Sequence, residues 1–338
     1  MTAVAPLTAK DWATDQEVRW CPGCGDYAIL KAMQKTLADI GGRPENTVFV
    51  SGIGCAARFP YYVASYGFHT IHGRAPAVAT GVKLANPELD VWVISGDGDA
   101  LSIGGNHLLH LLRRNVDVQF LLFNNEIYGL TKGQYSPTSR RGTRSPSTPM
   151  GSLENPVSAG AFALGAGARF VARAVDTQQA HLSGVLTRAH RHRGTSFVEI
   201  FQNCVVFNDG VFDDFTEKSV ATERQLLVEH GKPLLFGRDR STGLRFNART
   251  LTLEVVKPGE NGVTAEDILV HDETNRSLAS MLVALEPPDF PVALGVIYCD
   301  PISTYDQDVY AQLESAGAWK SEPDLNQLFR QERTWTVE

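Results

Sequence analysis

The chain has 338 residues, 43% hydrophobic and 20% charged, with a formal net charge of −7 and a pI near 5.7. That length supports one large α/β domain or two smaller ones with a substantial core, and the acidic balance argues against nucleic acid, whose partners carry a basic stripe. No apolar run approaches the ~20 residues that cross a bilayer, and the N-terminal MTAVAPLTAKDWATDQEVRW lacks the basic start and apolar core of a secretory signal, so a cytoplasmic protein is expected.

In chain order, the first informative stretch is EVRWCPGCGDYAIL, residues 17 to 30. Its Cys21-Pro-Gly-Cys24 pair suits zinc, an iron–sulfur cluster or thiol exchange equally well. YAILKAMQKTLADIG then reads as a helix. TVFVSGIG (47–54) is a β-branched run entering a glycine turn, which delivers Cys55. VWVISGDGD (91–99), VQFLLFNN (118–125) and SFVEIFQ (196–202) repeat that strand pattern. APAVATGVKLANP, IGGNHLLHLLRRN and TQQAHLSGVLTRAHRHRG supply helices between them. Short apolar strands alternating with helices predict a mostly parallel sheet covered on both faces. His107, His110, His190 and His192 fall on those helices and read as surface or helix-end residues.

Residues 131–150, TKGQYSPTSRRGTRSPSTPM, have no periodicity and form a long loop of the kind that is often functional. Beyond residue 205, KPLLFGRDRSTGLRFNARTLTLEVVKPGE suggests short antiparallel strands with turns, followed by a polar tail. The division expected is therefore 1–205 as the main domain and 206–338 as a C-terminal extension. Five cysteines, an odd and sparse set, do not make a disulfide framework. Cys299, in the apolar run PVALGVIYCDP, reads as a small buried hydrophobe on a strand.

The chemistry concentrates in residues 95–134. One strand delivers Gly96-Asp97-Gly98 at its carboxyl end, where open α/β sheets bind ligands, and the next delivers Asn124-Asn125 at the same edge. A carboxylate, an amide oxygen and a nearby main-chain carbonyl make an all-oxygen set suited to Mg²⁺, whose shell phosphate oxygens and water complete. The alternative is a plain turn and a helix start. SGIGCAA also matches the loose dinucleotide fingerprint. Phe59-Pro60 breaks the helix that fingerprint needs, and HTIHGRA stands where its acidic residue belongs.

GDG followed 25 residues later by Asn-Asn resembles the thiamine diphosphate fingerprint. WCPGCGDYAIL, SGIGCAARFPYY, HTIHGRAPAVATGVKLANP, GDGDALSIGGNHLLHLLRRN and FNNEIYGLTKGQYSPTS are similar to the β subunits of 2-oxoacid:ferredoxin oxidoreductases, above all the 2-oxoglutarate type. The resemblance covers most of residues 15–210.

It implies a thiamine-diphosphate-binding fold and a 4Fe–4S cluster on Cys21, Cys24, Cys55 and Cys204. A four-cysteine zinc site would use the same ligands. It implies Mg²⁺ on Asp97, Asn125 and the Ile127 carbonyl. Thiamine contacts would come from Ile53, Gly54, Cys55, Ala56, His72, Gly73, Arg74, Ala75, Gly96, Gly98, Asp99, Gly129 and Leu130. Cys55, His72 and Arg58 are the candidate catalytic side chains. The implied reaction is oxidative decarboxylation of a 2-oxoacid with coenzyme A, run forwards or as CO₂ fixation.

Only one diphosphate-type unit is present, so the activating glutamate is expected from a partner α chain, in a dimer of α–β pairs. Without a bacterial ferredoxin run, electrons are expected to leave for a separate ferredoxin. Arg58, Lys132 and Arg140 are candidates for the distal carboxylate of 2-oxoglutarate; pyruvate or branched 2-oxoacids are the alternatives. A zinc-stabilised non-redox subunit and a non-oxidative thiamine decarboxylase are the competing readings.

Overall fold

A computed structural model of the chain describes residues 6–317, 324–330 and 335. The strand signals become β1 (Thr47–Ser51), β3 (Asp90–Gly96), β4 (Gln119–Asn124) and β8 (Ser196–Phe201). They are joined by β2 (Tyr66–His69), β7 (Phe170–Val175), β9 (Gln225–Val228) and β13 (Val292–Cys299) in one eight-stranded sheet of order β2-β1-β3-β4-β8-β7-β13-β9. The six strands from β2 to β7 in that order are parallel. β13 runs antiparallel to β7 and carries β9 parallel to itself. A hairpin ribbon pairs β5 (Ile127–Tyr128) with β6 (Gln134–Tyr135). β10 (Leu235–Phe236), β11 (Thr242–Asn247) and β12 (Thr252–Val256) form the short antiparallel sheet of the C-terminal segment.

Both faces of the sheet are buried along its central strands, and the two-residue period of those strands sorts their side chains. Along β3, Val91 and Val93 join one apolar cluster while Trp92 and Ile94 join the other. On β4, Phe120 and Leu122 face the first side, Leu121 and Phe123 the second. Helices α2 (Ala75–Ala85), α4 (Gly105–Arg114) and α5 (Ala159–Gly165) supply Ala79, Leu108, Leu112 and Ala163 to the first cluster. On the second face α1 (Asp26–Asp39) and α6 (Gln179–Arg191) supply Ile29, Met33, Leu182 and Leu186. The short α3 (Asp97–Leu101) starts directly at the end of β3.

Among the elements that the sequence reading did not mark are β2, β7, α5 and β6. β2 is an exposed edge strand without an apolar run. β7 hides behind the charge of Arg173, which is buried because Glu199 on β8 meets it at 2.7 Å. α5 is short, and β6 lies inside the expected loop of residues 131–150. After residue 205 the chain builds its own antiparallel sheet and also returns to the main one through β9 and β13. Part of the expected polar tail lies outside the described residues.

Candidate active site

The strand order reverses at β1/β3, where carboxyl-end loops splay apart and open α/β sheets take their ligands. Here they enclose one pocket. Ile53, Gly54, Cys55 and Ala56 come from the turn after β1, and His72 from the loop after β2. Gly96, Asp97, Gly98 and Asp99 follow from the end of β3, then Asn125, Ile127, Tyr128, Gly129, Leu130 and Thr131 after β4. Tyr128 donates from its Oη to the Gly98 carbonyl at 2.9 Å. A Cβ on Gly98 would stand 2.3 Å from the Tyr128 ring, so only glycine fits there.

Gly73, Arg74 and Ala75 support the pocket from behind. The Gly73 N–H donates to Asp99 Oδ1 at 2.9 Å, Arg74 caps α2, and Ala75 is buried in its first turn. The Asp99 carboxylate also turns inward. It takes His72 Nδ1 at 2.9 Å and the Ser95 hydroxyl at 2.7 Å, and so positions His72.

Asp97 is 2% exposed, and burial pushes its carboxyl up to about 6 against the pull of two hydroxyls. Those are Ser136 and Thr138, which donate to Oδ2 at 2.5 and 2.6 Å. Thr138 also reaches Asn124 Oδ1 at 3.0 Å, and Asn124 Nδ2 donates to Glu199 Oε1 at 2.8 Å. A buried chain thus runs from Asp97 through Thr138, Asn124 and Glu199 to Arg173. Asn125, one residue on, faces the other way, into the pocket. Its Oδ1 accepts the Ile127 N–H at 3.2 Å and its Nδ2 donates to Gln202 Oε1 at 2.7 Å. Asp97, Asn125 and Ile127 therefore share one wall, an oxygen set of the kind Mg²⁺ takes.

A second cavity adjoins the first and contains Cys21, Cys24, Cys55 and Cys204 with Arg58, Lys132 and Gln202. Cys55, Asn125, Gly129 and Leu130 line both. A Cβ on Gly129 would stand 3.4 Å from Cys55 Sγ and 3.6 Å from Cys204 Sγ, so both sulfurs lie against the shared wall at van der Waals range. The Gly25 N–H donates to the Asn203 carbonyl at 3.2 Å, tying the CxxC turn to the loop that carries Cys204. Trp20 Nε1 donates to the Cys55 carbonyl at 2.8 Å.

Burial, then Asp26, then Cys204 and Cys21 push the Cys55 thiol up to about 12, and Cys24 is driven upward by burial and Asp26. Asp26 is 1% exposed with both carboxylate oxygens unpartnered. Such a set becomes thiolate only when a strong cationic centre displaces its protons. Four thiols lining one cavity are a donor set that a 4Fe–4S cluster takes, and a single zinc would use the same four. Cys299 lies at the opposite edge of the sheet, paired across from Phe170 at the start of β7.

Of the candidate cations, Arg58 and Lys132 line the cysteine cavity, while Arg58 Nε also holds Tyr62 Oη at 3.0 Å. Arg140 faces away. It bonds the Val211 carbonyl at 2.8 Å, Asp214 at 3.3 Å and Glu126 at 3.5 Å. Sequence reasoning missed Ser136, Thr138, Gln202 and Tyr128. Their only signal was proximity to the motifs, because each contact joins residues far apart in the chain.

Residues 52–200 match the family described as thiamine pyrophosphate enzyme, C-terminal TPP binding domain. Over its full length the chain is 48% identical to 2-oxoglutarate oxidoreductase subunit KorB of Mycobacterium tuberculosis, covering 90% of that protein. It is 50% identical over 190 residues to 2-oxoacid:ferredoxin oxidoreductase 1, subunit beta, of Aeropyrum pernix, a match spanning 56% of this chain and 60% of that one. Among solved structures, the 2-oxoglutarate:ferredoxin oxidoreductase from Magnetococcus marinus with 2-oxoglutarate, coenzyme A and succinyl-CoA bound superposes with a TM-score of 0.78. That match has 31% identity and covers 98% of both chains. A full-length match at this identity, joined to a pocket built from the thiamine fingerprint, places the chain in the family of β subunits of 2-oxoacid:ferredoxin oxidoreductases, of the 2-oxoglutarate type.

Proposed function

We propose that the chain, paired with an α subunit, catalyses oxidative decarboxylation of 2-oxoglutarate with coenzyme A to succinyl-CoA and CO₂. Two electrons leave one at a time through a 4Fe–4S cluster to ferredoxin, and a sufficiently reducing ferredoxin drives the reverse, CO₂-fixing direction. The observation that carries this reading is the shared wall of Cys55, Asn125, Gly129 and Leu130 between the strand-end pocket and the four-cysteine cavity. A decarboxylating centre and an electron acceptor need that adjacency. The substrate and coenzyme A follow from the relatives' names and from the ligands of the Magnetococcus marinus enzyme.

When bound, thiamine diphosphate supplies the electron sink that loss of CO₂ from a 2-oxoacid requires. Asp97, Asn125 and the Ile127 carbonyl would hold Mg²⁺ on its diphosphate. Ile53, Gly54, Ala56, Gly96, Gly98 and Leu130 would wall it in. His72, fixed through Nδ1 by Asp99, offers Nε2 to the pocket as a hydrogen-bonding group in a set tautomer. Cys21, Cys24, Cys55 and Cys204 would ligate the cluster. Arg58 and Lys132, which line the cysteine cavity, would meet the distal carboxylate.

The test uses protein made anaerobically with its α partner, assayed for ferredoxin reduction with 2-oxoglutarate, pyruvate and branched 2-oxoacids. Activity with 2-oxoglutarate and coenzyme A, iron in the protein, and no turnover by the chain alone are expected. Robust decarboxylation without the partner, or an iron-free protein carrying zinc, would refute the reading.

A further inference from the structure

Gln202 follows β8, is 1% exposed and lines the cysteine cavity. Its main-chain N–H donates to the Asn124 carbonyl at 2.9 Å, extending the β4–β8 ladder and fixing where the side chain starts. The orientation of the amide is forced. The Asn203 carbonyl can only accept, so Gln202 Nε2 faces it, at 2.6 Å. The same nitrogen reaches Cys24 Sγ at 3.3 Å. Gln202 Oε1 must then face Asn125 and demands a donor there, which Asn125 Nδ2 provides at 2.7 Å. Asn125 is left with Oδ1 on its other side, where it accepts the Ile127 N–H at 3.2 Å. One buried amide thus touches a residue of each centre, with its donors and its acceptor all partnered.

We infer that Gln202 is a positioning residue coupling the two centres. Through Oε1 it decides which end of the Asn125 amide is offered to the metal. Through Nε2 it donates a hydrogen bond to the Cys24 sulfur and holds the cluster's reduction potential up. The inference rests on the magnesium and cluster reading given above. A donor to a ligating sulfur stabilises the more negative, reduced cluster, and the groups behind metal ligands set their orientation. No residue with a single polar function can do both. A hydroxyl is too short to span Asn125 and Cys24, and a carboxylate has nothing to donate.

That difference separates the two roles. In the anaerobic α–β complex, Gln202→Glu keeps an acceptor for Asn125 Nδ2 but loses the donors to Cys24 Sγ and to the Asn203 carbonyl. Gln202→Met keeps the length and loses both. Two readouts are followed: thiamine diphosphate affinity as a function of Mg²⁺, and the midpoint potential and electron paramagnetic resonance spectrum of the cluster. The Glu variant is expected to bind thiamine diphosphate within about threefold of wild type, while its cluster potential falls and its spectrum shifts. In the Met variant the potential falls as well, and metal-dependent affinity drops about tenfold, the equivalent of one lost hydrogen bond. The inference is overturned if both variants keep the wild-type potential and spectrum, or if Glu weakens the metal-dependent affinity as much as Met. A wild-type complex without iron overturns the cluster reading itself, an outcome visible before any variant is made.

Discussion

Thr138→Val removes one hydroxyl and leaves the shape of the side chain almost unchanged. That hydroxyl has a single proton, and the 2.6 Å contact to Asp97 Oδ2 takes most of it, with Asn124 Oδ1 at 3.0 Å sharing the remainder. Asp97 Oδ2 keeps Ser136, and Asn124 Oδ1 keeps the Glu126 N–H at 3.3 Å, so no buried oxygen is left without a partner. The cost is then that of one hydrogen bond to a charged group, about 2 kcal/mol, with no added penalty for an orphaned atom. Urea denaturation of the metal-free complex should show that loss of stability. Titration with thiamine diphosphate at fixed Mg²⁺ should show about tenfold weaker binding, because Asp97 loses one of the two donors that fix its plane. Thr138→Ser should recover most of both losses. A valine variant with wild-type stability and wild-type metal-dependent binding would remove the loop of residues 131–150 from the metal site.

Four further outcomes are expected. Asp97→Ala should abolish metal-dependent thiamine diphosphate binding, because diphosphate repulsion is left uncompensated; Asn125→Ala should weaken it about tenfold, since water replaces one neutral oxygen. Alanine at Cys21, Cys24, Cys55 or Cys204 should lower iron content, while Cys299→Ala leaves it unchanged; iron analysis of the five variants decides the ligand set. Arg173→Leu strands the buried Glu199 and should cost about 3–5 kcal/mol in chemical denaturation. Burial holds His192 down at about 4, so its neutral form belongs to the fold and protonation favours the unfolded chain. Its contribution is complete above the unfolded value of ~6.5 and is lost as pH falls towards 4, about 2 kcal/mol of it between pH 7 and 5, so His192→Phe should flatten that part of the urea profile.

The parts of the fold that were legible in the sequence are those whose causes are local. β1, β3, β4 and β8 announce themselves because strands buried on both faces must be continuously apolar. The GDG and Asn-Asn pairs are visible because glycine and asparagine there interrupt such runs at their carboxyl ends. β7 was hidden because Arg173 looks like a surface charge until Glu199, on a neighbouring strand, neutralises it at 2.7 Å. Ser136 and Thr138 look like loop residues because their partner, Asp97, lies 39 and 41 positions away. Arg140 was a candidate because it is a cation near a motif; its contacts to Val211, Asp214 and Glu126 join residues up to 74 positions away and were equally hidden.

The coupling assigned to Gln202 follows from sheet register rather than from any motif. β4 and β8 pair in parallel with Asn124 opposite Phe201, so the next residues, Asn125 and Gln202, leave the sheet side by side although 77 positions separate them. Because successive side chains on a strand point to opposite faces, Asn124 turns towards Glu199 and Asn125 towards the pocket. Cys204, two residues beyond Gln202, is carried by the same strand end to the wall at Gly129, where its sulfur lies near that of Cys55. A slip of one residue between β4 and β8 would exchange the two asparagines and move Gln202 off Cys24. The walls of the strand-end pocket and of the cysteine cavity therefore depend on one register. That register is enforced by Phe120 and Phe197 stacking at 5.8 Å on one face, with Leu121 and Val198 packed on the other.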